Sequence, residues 1–237
     1  MKQNSEQKVE ITKVSPTCGK PTVMGSTGNL RVLNLYAGIG GNRKLWDGVN
    51  VTAIEFNNEI ASIYKDLYPN DEVVVGDAHE YLIKNYMNFD FIRSSPPCQS
   101  HSRIRKLGVS LNKVDAVFPD AKLWQEIVFL KHYFKGKFLV ENVNPYYVPF
   151  IKPDLELQRH LIWANFKINP IEFEKTHPVE FVSTIEHFGV NIQKYKIKTN
   201  KQQILRNMVN PELGLYVLDQ VRGIIRHSKT AQVSLFD

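Results

Sequence analysis

The sequence predicts an α/β protein built on a doubly wound, mostly parallel β-sheet. Short apolar runs alternate with segments whose apolar residues recur at helical spacing, from residue 31 onward. A glycine-rich turn follows the first of these runs. Acidic residues stand at the ends of several later apolar runs. In a parallel sheet the carboxyl ends of the strands lie along one edge, and ligands bind there.

The expected elements follow this alternation along the chain. The predicted strands are RVLNLY, VTAIE, EVVVGD, FDFIRSS and KFLVENV, and the predicted helices are NRKLW, NNEIASIYKDL, HEYLIKNYM, AKLWQEIVFLKHYF and PELGLYVLDQVRGII. The last helix begins with Pro211, since proline is favoured in a first helical turn. Because the pattern loosens after HLIWANF, we expect four parts: a flexible arm at 1–28, a catalytic domain at 29–166, a reduced segment at 167–205 and a returning C-terminal helix at 206–237.

The composition narrows the class of protein. The 237 residues are 43% hydrophobic, which is enough for the buried core of one α/β domain. Thirty Lys and Arg against 24 Asp and Glu give a net charge of +6, which mildly favours polyanionic partners. Two cysteines, Cys18 and Cys98, make neither a disulfide framework nor a zinc site. With no apolar leader or membrane span, we expect a soluble, cytoplasmic protein.

The glycine turn YAGIGGN lies between the first predicted strand and the first predicted helix. A turn without side chains lets a ligand approach the backbone there. The dinucleotide fingerprint G-x-G-x-x-G is not met, because Gly38, Gly40 and Gly41 are followed by Asn42 and Arg43. This argues against an NAD dehydrogenase.

Two carboxylates close the next predicted strands. Glu55 ends the second strand, where it can accept hydrogen bonds from two ribose hydroxyls, and Asp77 ends the third, where it can accept one from an exocyclic amine. A nucleoside across three strand ends, with no pyrophosphate, indicates S-adenosylmethionine rather than NAD. Helix-capping and surface acids around an ordinary turn are the alternative interpretation.

In the stretch SSPPCQSHSR, two prolines directly precede a cysteine. Pro96 and Pro97 restrict the backbone and lack N–H groups, so they end strand pairing and hold Cys98 at the sheet edge. A nucleophilic cysteine needs thiolate character and rigid aim. Glu141 ends the run LVENV, and Arg159 precedes HLIW. Nucleophilic addition to a pyrimidine requires an acid that binds a ring nitrogen, together with a cation beside that acid. The alternative interpretation is that Cys98 is an inert, buried cysteine.

With these motifs in place, the chain resembles the DNA (cytosine-5)-methyltransferase family, of the small bacterial or phage type. The resemblance runs from about Arg31 to the C-terminal helix, and Tyr36 replaces the family's usual Phe. The motifs that carry it, in chain order, are LYAGIGG, AIEF, GDAH, SPPCQ, LVENV and RNMVNPELG. It implies a Rossmann-like, S-adenosylmethionine-dependent methyltransferase fold with a very small target-recognition appendage. It also implies a monomer that uses no metal, in the cytoplasm of a bacterial cell or a phage-infected host.

The resemblance also implies a role for each matching residue. Cys98 would be the nucleophile, Glu141 would contact N3 of the cytosine, and Arg159 would be the catalytic cation. The implied cofactor-binding residues are Tyr36, Ala37, Gly38, Gly40, Gly41, Glu55, Phe56, Asp77, Ala78, Pro97, Asn207 and Val209. The expected contacts to double-stranded DNA are Ser100, Arg103, Arg105 and Lys106, in a basic loop with His101 that closes over the DNA, and Lys194, Lys196 and Lys198. The implied reaction moves a methyl group to C5 of a flipped-out cytosine through a covalent bond between Cys98 and C6.

Two departures from the family pattern bear on the substrate. The segment LQRHLIW keeps Arg159 but has Leu161 where a second Arg would stand. Only residues 166–205 are available for target recognition, and in a strand the lysines of NIQKYKIKTNK would share one face, either as a phosphate-contacting strip or as guards of an edge strand. A tRNA cytosine methyltransferase of the same fold and a catalytically silent DNA-binding module are the alternatives.

Overall fold

The computed structural model of the protein describes residues 28–157, 160–169 and 186–224. Its strands are β1 (Leu30–Leu35), β2 (Val49–Glu55), β3 (Glu72–Val75), β4 (Phe91–Ser94), β5 (Lys137–Val143), β6 (Leu155–Leu157), β7 (His160–Ala164), β8 (Glu186–His187) and β9 (Val190–Asn191). Its helices are α1 (Asn58–Leu67), α2 (Ala78–Asn85), α3 (Arg103–Ser110), α4 (Lys122–Tyr133), α5 (Lys201–Arg206) and α6 (Pro211–Arg222), with a 3-10 turn at Tyr86–Asn88.

Seven strands form one sheet in the order β3-β2-β1-β4-β5-β7-β6. The strands from β3 to β5 pair in parallel, and β7 and β6 pair antiparallel at one side. This mostly parallel sheet confirms the predicted fold class. The carboxyl ends of β1, β2, β3, β4 and β5 meet at the same edge, so the residues that close these strands are brought together.

Helices cover both faces of the sheet. The central strands are mostly apolar on both sides, as is typical of parallel strands buried under two helical layers. One face packs against α2 and α4 through a core that includes Leu33, Ile92, Leu82, Ile127 and Phe138. The other face packs against α6 through a core that includes Val32, Phe91, Leu139, Val217 and Leu218.

The helix predicted at NRKLW does not form. Residues 41–45 make consecutive turns, closed by bonds between residues three apart, such as Trp46 N–H to the Arg43 carbonyl at 3.0 Å. The Trp46 indole donates to the Gly214 carbonyl at 2.9 Å, and the Asn42 side chain is buried and bonded to β1. These contacts with α6 and β1 fix the backbone against helical propagation. The glycine turn is therefore not followed by a helix N-terminus.

The prediction of a strand at NIQKYKIKTNK is also wrong. Strand β9 ends at its first residue, and residues 192–200 form turns and bends. Glu59 of α1 accepts the backbone N–H groups of Lys198 at 3.0 Å and Thr199 at 2.9 Å. These carboxylate bonds take donors that strand pairing would use, so the segment follows the surface of α1 instead.

A third apolar cluster fastens this segment to the rest of the molecule. Ile39 of the glycine turn and Ile63 of α1 pack with Ile192, Leu205 and Met208. Several predictions lie outside the described residues: the arm except for its last residue, Cys18, Arg159, residues 170–185 and the chain after residue 224. The division into four parts stays a prediction.

Candidate active site

The cysteine turn is held by the strand beside it. Strands β4 and β5 are parallel neighbours, with Ser94 in register with Val140. Asn142 of β5, which is buried, donates its amide N–H to the carbonyl of Pro96 at 2.9 Å. Cys98, a half-buried reduced cysteine, follows at once. The asparagine of the ENV motif thus positions the Pro-Pro-Cys turn, a role that sequence reasoning missed.

Glu141 lies beside this turn in a closed triangle of polar contacts. Its Oε1 is 2.7 Å from the guanidinium of Arg93 and accepts from the Ser95 hydroxyl at 3.0 Å. Arg93 also donates to the Ser95 oxygen at 2.9 Å. Burial alone disfavours the charged form of Glu141, but the charges of Arg93 and His160 outweigh it and hold its pKa below the ordinary value. Glu141 is therefore a carboxylate at neutral pH, able to accept hydrogen bonds.

The cation beside Glu141 in the described structure is Arg93, whereas the predicted Arg159 lies outside the described residues. Sequence reasoning passed over Arg93. The available signal was an arginine inside the apolar run FDFIRSS, because a charge in a buried strand requires a charged partner.

On the other side of the site, the glycine turn is tied to β2. Tyr36 and Gly38 have positive φ angles of 54° and 56°, which bend the chain sharply after β1. Glu55 accepts the N–H of Gly38 at 2.9 Å through one oxygen and the N–H of Asn57 at 2.9 Å through the other. A Cβ added at Gly38 would meet nothing within 4 Å. The turn therefore presents bare backbone to open space beside the Glu55 carboxylate.

The next two glycines are required for packing against the protein itself. A Cβ added at Gly40 would lie 2.4 Å from the Tyr68 ring, and one at Gly41 would lie 2.4 Å from the Val209 carbonyl. Ala37 is buried as well. Val209 is thus brought against the glycine turn, whereas the exposed Asn207, just after α5, accepts from Gln203.

Phe56 and Asp77 complete this side of the site. The Phe56 ring is 78% exposed, at the end of β2. One oxygen of Asp77 caps α2 by accepting from the N–H groups of His79 and Glu80, and the other is 2.8 Å from the Lys122 ammonium. The hydrogen bond from Lys122 lowers the pKa of Asp77 below its ordinary value. Ala78, the first residue of α2, is buried.

These residues fit the adenosine part of S-adenosylmethionine. The turn at Gly38 leaves open space, Phe56 offers an apolar ring, and the carboxylates of Glu55 and Asp77 each have lone pairs for further donors. Pro97, which directly precedes Cys98 in the chain, is exposed.

A buried carboxylate joins the two halves. Glu126 of α4 has no exposed surface, and it accepts from the Tyr36 hydroxyl at 2.5 Å and from Ser94 at 2.7 Å. His79 of α2 lies 3.1 Å away, and its hydrogen bond to Glu126 raises the pKa of the imidazole. The Tyr that replaces the usual Phe therefore links the ends of β1 and β4 through α4.

The expected basic loop is in fact helix α3, capped by Ser102. Arg103 donates to the Pro145 carbonyl at 3.0 Å and to Asn144, just beyond β5, so the start of α3 lies beside the site. His101, expected in the DNA-closing loop, is buried with its Nδ1 2.6 Å from the Tyr147 hydroxyl, and this position removes it from any nucleic-acid contact.

The other predicted nucleic-acid residues occupy two surfaces. Around α3, Arg105 donates to the Asp115 carbonyl, Lys106 lies over the Tyr146 ring, and the Ser100 hydroxyl accepts the N–H of Asp120. The second surface, beside α1, carries three exposed lysines: Lys194, Lys196 and Lys198. Of these, Lys194 forms an ion pair of 2.8 Å with Asp66.

Within 28–157, 160–169 and 186–224, no group of three His, Cys, Asp or Glu side chains is placed to hold a metal ion. None of the helices in these ranges is long and apolar enough to cross a membrane.

Comparisons with known proteins show what the chain is similar to. Residues 30–146 match the family described as C-5 cytosine-specific DNA methylase. The human tRNA (cytosine(38)-C(5))-methyltransferase is 31% identical over 86 residues, which cover 33% of this chain and 22% of that protein. The chain thus spans about a fifth of the length of that relative.

Two solved structures are similar to part of this chain, each with a low TM-score. A mutant of Spodoptera frugiperda DNMT2 is 25% identical with a TM-score of 0.35, over 49% of this chain and 36% of that one. A putative DNA modification methyltransferase encoded within an Escherichia coli prophage is 22% identical with a TM-score of 0.33, over 49% and 33%. The match to the C-5 cytosine-specific DNA methylase family thus spans residues 30–146, just under half of the chain, and includes Cys98, Glu141 and the glycine turn.

Proposed function

We propose that the protein methylates C5 of cytosine in DNA, with Cys98 as the nucleophile. The observation that carries this proposal is the joining of the Pro-Pro-Cys turn to Glu141 at the ends of two adjacent parallel strands. The family description and the net charge of +6 support DNA as the polyanion.

The chain's own residues supply the activation of the pyrimidine. The Cys98 thiolate adds to C6 of a cytosine turned out of its stack, and the C5–C6 π electrons move into the ring, which makes C5 nucleophilic. Glu141 accepts hydrogen bonds from the amino group and from N3, which takes up a proton from solvent as charge develops on it and returns that proton when the thiolate leaves. Once C5 has gained a methyl group, loss of its proton restores the double bond and expels the thiolate.

S-adenosylmethionine, the cofactor of this family, supplies the methyl group when bound. Glu55 would accept hydrogen bonds from its ribose hydroxyls, Phe56 would cover one face of its adenine, and Asp77 would accept from the adenine amine. The open backbone at Gly38 would lie alongside it.

The Cys98→Ser variant tests the covalent mechanism. We expect it to lose methyl transfer while it keeps cofactor affinity, because the hydroxyl is a weak nucleophile and the adenosine residues are untouched. Wild-type protein should also form a gel-stable adduct with DNA that carries 5-fluorocytosine, since fluorine cannot leave as a proton does. Cys18→Ser is the matched control and should leave both results unchanged. Substantial turnover by the Cys98→Ser protein would contradict the mechanism.

A tRNA substrate is the second candidate, supported by the likeness to a human enzyme named for tRNA cytosine methylation. Transfer of labelled methyl groups to duplex DNA and to tRNA, at equal substrate concentration, separates the two. A preference for tRNA would overturn the DNA proposal and leave the role of Cys98 intact. Measurable transfer to either substrate would exclude a catalytically silent DNA-binding module.

A further inference from the structure

Arg93 is a charged side chain enclosed within the sheet. It lies on β4 between β1 and β5, in register with Asn34 and Leu139, and only 2% of it is exposed. On its face of the sheet, the core neighbours of Arg93 include the apolar Phe91 and Leu139 and the buried amide of Asn34. Burying a guanidinium costs free energy unless the group is paired and hydrogen-bonded, so the partners of Arg93 indicate its role.

Those partners both belong to the candidate active site. One terminal nitrogen of Arg93 contacts Glu141 Oε1 at 2.7 Å, and the other donates to Ser95 Oγ at 2.9 Å. The planar fork of arginine fits this arrangement, which a lysine ammonium could not reproduce at both positions. Arg93 Nε is buried without a hydrogen-bond partner among the described residues, so the side chain is placed to serve Glu141 and Ser95 alone.

The contacts also fix the orientation of the carboxylate. The Ser95 hydroxyl reaches the same Oε1 at 3.0 Å, so the second oxygen, Oε2, lies outside the triangle. A glutamate side chain has three rotatable torsions, and the triangle restricts them by holding one carboxylate oxygen from two directions. The cysteine turn begins at Ser95, so the same contacts couple the carboxylate to the nucleophile's loop.

We propose that Arg93 is the positioning residue for Glu141, a cation supplied from inside the central sheet that holds this carboxylate beside Cys98. The inference rests on the proposed function, because positioning matters only if Glu141 meets a pyrimidine. Arg93 acts through Glu141 and does not itself reach the reacting ring.

Two substitutions separate its charge from its shape. Arg93→Lys keeps the charge and loses the fork, and Arg93→Met loses both at similar volume. Arg31→Met is the matched control, because Arg31 also pairs with a carboxylate, that of Asp90, but at the amino end of β1.

The first measurement titrates Glu141 by carbon NMR of the labelled full chain, with Glu141→Gln to assign its signal. Because the Arg93 charge lowers the pKa of Glu141, Arg93→Met should raise the titration midpoint, Arg93→Lys should raise it less, and Arg31→Met should leave it unchanged. An unmoved midpoint in Arg93→Met would overturn the inference. Should Arg93→Met fail to fold, Arg93→Lys decides in the second measurement.

The second measurement compares kcat with KM. Arg93→Lys should lower kcat about 10- to 100-fold, since a catalytic group displaced by about an ångström loses rate on that order, with KM for nucleic acid and cofactor affinity within about twofold. Unchanged kcat would overturn the positioning role and leave the proposed function standing. A wild-type protein that methylates no nucleic acid would instead remove the proposed function, and the titration would still decide whether Arg93 governs Glu141.

Discussion

At the residue scale, the carboxylates of the candidate site bond to nearby backbone N–H groups, and the same carboxylates are proposed to bind the cofactor. Glu55 accepts two backbone N–H groups, from Gly38 and Asn57, and so shapes the glycine turn that it borders. Asp77 caps α2 with one oxygen and pairs with Lys122 through the other. We therefore expect the removal of either carboxylate to change both cofactor binding and local structure.

Replacement of these carboxylates by alanine should weaken the binding of S-adenosylmethionine. We expect Glu55→Ala and Asp77→Ala each to lose about 1–3 kcal/mol of binding free energy, because a hydrogen bond to a charged group disappears. Asp77→Ala should also lower the free energy of unfolding by about 0.5–2 kcal/mol through the lost cap, whereas Asp77→Asn should keep the cap. Calorimetry with the cofactor alone measures the affinities, and Glu156→Ala, on the exposed face of β6, is the control. Unchanged affinity in both variants would move the adenosine site elsewhere.

At the element scale, α6 decides the conformation of the turn that follows β1. Gly214 of α6 packs so closely on the turn that an added Cβ would lie 2.2 Å from the Asn42 carbonyl oxygen. The indole of Trp46 bonds to the Gly214 carbonyl from the same turn. A helix more than 160 residues away in the chain thus replaces the local helix that NRKLW predicted.

The Gly214→Ala variant tests this contact. Alanine favours a helix by about 1 kcal/mol over glycine, but the clash is with backbone and overpacking costs about 1–3 kcal/mol, so we expect a net loss of stability and a lower Tm. Cofactor affinity should fall as well, because Gly41 belongs to the displaced turn. Gly108→Ala in α3 is the control, since its Cβ would meet only a valine methyl group at 3.0 Å. A Tm that rises in both variants would show that the turn yields without cost.

At the scale of the whole molecule, positive charge lies on two surfaces that could contact phosphates. One is α3, beside the cysteine turn, and the other is the segment along α1 that carries Lys194, Lys196 and Lys198. Lys194 is already paired with Asp66, so two of these three lysines carry charge that no ion pair within the described residues balances.

Neutralising the three lysines together should reduce the dependence of nucleic-acid binding on salt. Each phosphate contact releases counterions, so we expect the Lys194→Gln, Lys196→Gln and Lys198→Gln triple variant to lower the log-log salt slope by about two units. Base preference should survive, because phosphate contacts position a protein without reading sequence. Affinities across a salt series measure the slope, with a triple Lys→Gln variant at Lys84, Lys131 and Lys135 as the control. An equal slope in wild type and test variant would leave the segment as solvated surface only.

The sequence by itself determined the features that depend on local pattern. Apolar periodicity predicted the parallel strands and most of the helices, because side-chain spacing follows backbone geometry directly. The prolines before Cys98 and the carboxylates that end the strands were placed at one sheet edge by the same reasoning, since parallel strands end together.

Only the tertiary structure decided what depends on distant partners. The turns at residues 41–45 arise from α6, the course of residues 192–200 from the carboxylates of α1, and the cation beside Glu141 from the strand that carries Arg93. In each case a side chain or carbonyl far along the chain supplies a hydrogen bond or charge that outweighs local preference. No local pattern records such a partner, because the contact exists only once the sheet has brought the two segments together.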